Sequence, residues 1–110
     1  MKFLLLVGAA ALAIAQGPGK PENGKMLFIK DGCFECHGYA GQGGVAGPRI
    51  AATALNAQAL MRYVRRPFGA MPAFTPKVLP DPELADIYAY LKSLPPAKPA
   101  KDIPLLKQLQ

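Results

Sequence analysis

The apolar residues of this chain are grouped rather than alternating, and the groups follow two patterns. The first is an unbroken run from Phe3 to Ala15 with no charge in it. The others repeat every three or four residues, the spacing of one helix face. In Glu22–Asp31, ENGKMLFIKD, Leu27 and Phe28 stand in helical register with Gly24, and Gly32 supplies the stop. Asn56 can cap a helix over Ala57–Arg66 whose stripe is Leu60, Met61 and Val64, closed by Pro67. The best-defined helix has Asp81 as N-cap, Pro82 at the first helical position and Glu83 in the positive first turn. Leu84, Ile87, Tyr88, Leu91 and Leu94 follow at helical spacing, and Pro95 and Pro96 end it.

Between these segments the residue types change. Six glycines from Gly32 to Gly47 predict neither a helix nor a strand of any length there. Four prolines and one glycine from Pro67 to Pro80 predict an irregular, tethered loop. After Pro96 comes a Pro/Lys-rich tail, residues 97–110, in which Leu105, Leu106 and Leu109 can form one helical turn. With no alternating strand and no repeat, the expected fold class is all-α, with one domain over residues 22–96 behind a flexible lead-in, 16–21. Three short helices joined by long loops make a thin core, and in a domain of roughly 75 residues burial barely offsets chain entropy. Something besides side chains is expected to fill the middle.

The opening MKFLLLVGAAALAIAQ has one lysine, an apolar run and the small-x-small pattern Ala13-Ile14-Ala15, which predicts a signal peptide over residues 1–15, cut between Ala15 and Gln16. The run is shorter than the roughly 20 residues that cross a bilayer, so the expectation is export to the periplasm with no integral membrane span after cleavage. Cleavage removes Lys2 and lowers the formal charge from +6 to +5. Small exported domains are commonly stapled by disulfides. Here the only two cysteines, Cys33 and Cys36, are separated by two residues, and a bridge that short restrains almost none of the unfolded chain.

Those cysteines lie in GCFECHGYAG, directly before the only histidine, His37. C-x-x-C-H is the attachment signal of c-type haem. Two thiols on one short turn can form thioethers to the two vinyl groups on one porphyrin edge, while the next residue carries an imidazole to the iron. Cys33, Cys36 and His37 supply those functions for one covalent haem c per chain. A zinc site wants four ligands, and no motif surrounds the carboxylates. A thioredoxin-like redox pair wants a parallel sheet, and no βαβ pattern is present. The glycine-rich run lacks a phosphate-loop pattern, and export argues against nucleic-acid partners.

With one histidine in the chain, the sixth iron ligand is a methionine, a weaker substitute such as lysine, or nothing. Met26 and Met61 lie within predicted helices, where methionine ordinarily serves as core filler. Met71 sits in FGAMPAF, between Gly69 and Pro72, in an irregular loop 34 residues beyond His37. That loop is long enough to wrap over the far face of a haem, so Met71 is the expected distal ligand.

The segments NGKMLF, CFECH, GP at Gly47 and Pro48, GAMPAF and ELADIYAYLKSLP occur in that order, and with them the chain resembles a small class I, monohaem, bacterial-type cytochrome c over Glu22–Pro96. The resemblance implies the cytochrome c fold, three main short helices with long Gly/Pro loops wrapped around the haem. It implies that Gly24 and Phe28 pack against Ile87 and Tyr90, and that the Pro48 carbonyl accepts a hydrogen bond from the Nδ1–H of His37. Many relatives use a tryptophan at the haem propionates; this chain has none, and Arg49 and Tyr63 are the substitutes expected.

A haem held on both faces leaves no open position for substrate. The expected function is therefore one-electron transfer between periplasmic or membrane redox partners, without enzymatic activity of its own. Two alternatives remain open: a haem c subunit of a dehydrogenase complex, and a ligand sensor whose Met71 bond is labile. The basic charge predicts partners with acidic docking surfaces, and Arg62, Arg65 and Arg66 fall at i, i+3 and i+4 on one helix face.

Overall fold

The computed structural model describes residues 18–109, so the expected signal peptide lies outside the described residues. The helices are α1 (Pro21–Lys30), α2 (Cys33–His37), α3 (Ala57–Arg65) and α4 (Asp81–Ser93), followed in the tail by a 3-10 turn (Ala100–Asp102) and α5 (Pro104–Lys107). No strand occurs among the described residues.

Helix α1 starts one residue earlier than its spacing predicts, because Pro21 occupies a first-turn position where a missing N–H costs nothing. Its start is satisfied from across the molecule. Asp86, in the middle of α4, accepts hydrogen bonds from the Lys20 amide and from the Asn23 side chain, both at 2.7 Å. Residues 20 and 21, expected within the flexible lead-in, are thus part of the helix start. A carboxylate here also meets the positive end of the helix dipole. The backbone hydrogen bond and then the Asn23 bond hold the Asp86 carboxyl below its ordinary 3.8. A folded pKa below the unfolded one means stability that is present above about pH 4 and lost as pH falls through the folded value. Asp86→Ala is expected to melt lower at neutral pH, by about 1 kcal/mol or less, and to show a shallower acid limb. Melting curves that keep the wild-type pH dependence would remove this latch from the account.

Glycine at position 24 brings α1 and α4 into backbone contact, since a Cβ there would overlap the Asp86 carbonyl. Four residues on, Phe28 is fully buried and meets the Tyr90 ring edge-on, with centroids 5.5 Å apart and planes at 63°. The crossing implied by the resemblance is therefore present, with Ile87 buried beside it. Met26 is different. Expected as core filler, it is 66% exposed, because it lies two positions from Gly24 on a helix that buries positions 24, 27 and 28.

Asn56 caps α3 by accepting the Ala59 amide at 2.8 Å, and the helix buries Leu60 with Met61 and Val64 packed at the edge of the core. Asp81 does not cap α4. The N-cap position belongs to Pro80, Asp81 is the first helical residue, and its carboxylate receives the Arg65 guanidinium instead. A nearby cation outcompeted the local cap, and two acidic residues in the first turn still complement the dipole. Leu84, Ile87, Tyr90 and Leu91 of α4 complete one cluster with α1, α3 and Leu79, which the proline-rich segment contributes at 1% exposure.

Helix α4 also organises the connecting segments. The Leu91 carbonyl accepts the Ala52 amide at 2.8 Å, Tyr88 donates its hydroxyl to the Leu55 carbonyl at 3.1 Å, and Lys92 donates to the Thr53 carbonyl at 3.0 Å. Tyr90 reaches the other way, donating to the Tyr39 carbonyl at 3.1 Å. These bonds fix the segment between α2 and α3 against the packed helices. In the tail, Leu105, Leu106 and Leu109 are exposed.

Candidate haem-attachment site

The glycine-rich stretch does contain regular structure. The motif CFECH is itself a helix, too short for any hydrophobic period to announce it. Asp31 ends α1, Gly32 adopts a left-handed conformation at φ 77° that reverses the chain, and the Glu35 amide returns to the Gly32 carbonyl at 3.1 Å. Cys33 and Cys36 are then one turn apart on the same face of α2, and both thiols are free. Cys33 packs against the core cluster, while Cys36 is exposed.

His37 is the last residue of α2 and is 8% exposed. Its Nδ1 is 2.7 Å from the Pro48 carbonyl, the bond implied by the resemblance. A carbonyl only accepts, so Nδ1 carries the hydrogen and Nε2 is left as the lone-pair donor. Gly47 permits this approach: a Cβ there would stand 3.0 Å from the Cys36 carbonyl oxygen and 3.2 Å from two ring atoms of His37. Gly43 donates to the His37 carbonyl at 2.7 Å, and the Gly41 carbonyl accepts from both Ile50 and Ala51 at 2.8 and 2.9 Å, which folds the loop so that Pro48 returns to the ring.

Met71 is half-buried in the irregular segment between α3 and α4. That segment is fastened downstream of it: the Phe74 amide donates to the Val64 carbonyl at 3.1 Å, and Arg65 donates through Nη1 to the Phe74 carbonyl at 2.9 Å and through Nη2 to Asp81. The role of Arg65 was not legible as a spacing, since its partners lie nine and sixteen positions away. Arg49 and Tyr63 each have a contact within the protein. Arg49 donates to the Pro95 carbonyl at 2.8 Å, tying the Pro48 loop to the end of α4, and Tyr63, 40% exposed, stands 6.2 Å from the Phe68 ring.

The donor set discriminates between possible occupants. No group of three or more His, Cys, Asp or Glu residues that could hold a bare metal ion exists among the described residues, which argues against zinc. A redox-active pair needs a thiol poised to ionise. Burial first, and then the Asp31 charge, push the Cys33 thiol up to about 11, the wrong direction for that chemistry. Two free thiols one turn apart and a buried imidazole with its Nδ1 engaged and its Nε2 without a hydrogen bond among the described residues fit a porphyrin that accepts two thioethers and one nitrogen ligand.

A helical frame, with no strand among the described residues, carrying that attachment turn on a five-residue helix beside the α1–α4 crossing, defines a small monohaem c-type cytochrome domain. The comparison with family models agrees: residues 19–91 match the family described as cytochrome C oxidase, cbb3-type, subunit III, and the chain belongs to that family. No curated protein and no solved structure matches it. It is a haem-based electron-transfer domain with a covalently bound c-type haem.

Proposed function

We propose that this chain is an exported one-electron carrier with a single haem c, attached through Cys33 and Cys36, ligated by His37 on one face and Met71 on the other, and shuttling electrons between periplasmic or membrane redox proteins. The observation that carries this reading is the His37–Pro48 bond within an otherwise closed turn, which fixes one tautomer and aims a single strong ligand. When bound, the haem supplies an iron that changes by one electron and a conjugated edge through which that electron leaves.

The chain's own residues then have distinct tasks. Pro48 and Gly47 hold the imidazole in place, so a change of oxidation state demands no ring rotation. Met71 offers a soft sulfur, which favours the ferrous state and raises the potential. Arg65 fastens the segment carrying it, and Pro72 limits the conformations available beside it. Arg49 and Tyr63 keep their proposed role at the propionates, with Arg49 also securing the Pro48 loop. The apolar opening of the chain supports export, and no helix among the described residues is long and apolar enough to cross a membrane.

Carbon monoxide added to the reduced, haem-loaded protein tests the closed ligand set. A carrier with both axial positions filled is expected to show no prompt spectral change; an immediate shift of the haem bands would replace the carrier with a ligand-binding sensor. A second reading is favoured by the family's name: the same domain acting as the haem c subunit of an oxidase complex. Co-purification with a membrane enzyme from the native source would distinguish it from the free carrier.

A further inference from the structure

Arg62, Arg65 and Arg66 line an open surface groove of about 550 Å³ together with Met61, Pro76 and Asp81. Three arginines and one aspartate border it, and its floor is mostly apolar, so the arginine stems contribute to the apolar surface. Asp81 and the Phe74 carbonyl already engage Arg65. Arg62 and Arg66 are exposed, and neither has a carboxylate within ion-pair distance among the described residues. Met61 packs against the core cluster while also lining the groove, and Pro76 is exposed.

We infer that this groove docks an acidic segment of the redox partner that carries an apolar side chain, its carboxylates on Arg62 and Arg66 and its apolar group on Met61 and Pro76. The inference deepens the carrier reading above and rests on it. Charge complementarity selects the occupant: the chain is basic overall, and this is a concave place where cations surround apolar surface. Arginine presents a planar fork that pairs with a carboxylate through two parallel N–H donors. A membrane surface is the poorer match, because anionic-lipid recognition by surface charge uses clusters of about four or more Lys/Arg, and here Arg65 is already paired, leaving Arg62 and Arg66. Arg65 is held by the same segment that carries Met71, so a docked partner would lie against the anchor of the proposed distal ligand.

The test is an NMR titration of the reduced, haem-loaded protein with a blocked synthetic peptide of sequence Asp-Glu-Phe-Glu-Asp, beside its neutral analogue Asn-Gln-Phe-Gln-Asn. Saturable shifts of the Met61 methyl and of the Arg62 and Arg66 side chains are expected with the acidic peptide only. Arg62→Glu with Arg66→Glu is expected to weaken binding by about tenfold or more. If that double variant melts below the wild type, Arg62→Gln with Arg66→Gln is read instead, with the same sign. Shifts confined to Lys25, Lys30 or the tail would overturn the inference. So would equal binding of the neutral analogue, or shifts with phosphatidylglycerol vesicles and none with the peptide. The titration requires no electron transfer. Failure of the carbon monoxide test with peptide binding intact would remove the carrier and leave the groove, and the reverse result would remove the groove alone.

Discussion

Met71→Ala is expected to lower the reduction potential by about 0.2 V, a quarter of the ~0.8 V that axial ligation spans among haem proteins and roughly 5 kcal/mol for one electron. The sign follows from ligand softness. A thioether stabilises the ferrous state more than the ferric, so removing it shifts the equilibrium toward the oxidised form. The weak red absorption of a thioether-bound ferric haem should vanish with it, and the reduced variant should take up carbon monoxide at once. Attachment should survive, because Cys33, Cys36 and His37 lie on a different element. Nor should the loop collapse, since the bonds that fasten it use Phe74, Val64, Arg65 and Asp81 rather than the Met71 side chain. Met26→Ala and Met61→Ala are the controls: one side chain is exposed and the other packs at the core edge on α3. A potential that moves in Met61→Ala and stays fixed in Met71→Ala would move the distal position from this loop to α3.

The attachment chemistry was legible because it is contiguous: two thiols and an imidazole within five positions need no knowledge of the fold. Helices α1, α3 and α4 were legible for a similar reason, each being a period bounded by a stop. What escaped were interactions that sequence separation conceals. Asp86 completes the start of α1 from 66 positions away, and Arg65 takes the carboxylate that local spacing assigned to a cap. Leu79 belongs to the core, yet it sits in a segment whose prolines obscure any period. The exposure of Met26 could have been read, since a residue two positions from Gly24 faces away from the side that Gly24, Leu27 and Phe28 share. Treating each helical methionine as filler ignored the phase of its helix.

Gly24→Ala gives the other large expected effect, and there two contributions oppose each other. On an isolated helix, alanine is better than glycine by about 1 kcal/mol. In this chain the new methyl would overlap the Asp86 carbonyl, a backbone group in the middle of α4 that cannot turn aside as a flexible side chain can. Overpacking of well-packed sites costs about 1–3 kcal/mol, and contacts across the same crossing would loosen with it: the Phe28–Tyr90 edge contact and the Asp86 bonds to Lys20 and Asn23. The net expectation is a loss of about 2–3 kcal/mol in denaturant unfolding of the haem-loaded protein. Gly44→Ala is the matched control, because nothing lies within 4 Å of a Cβ at that position, and its stability should stay within about 0.5 kcal/mol of wild type. The spectrum should report the two variants differently from stability, since the proposed iron ligands are untouched in both. α1 leads directly through Gly32 into the attachment helix, so the crossing at Gly24 positions the first half of the site without touching its chemistry. A Gly24→Ala protein as stable as wild type would mean that α1 and α4 can separate freely, and the close helix crossing could then no longer explain how the cysteines are held in place.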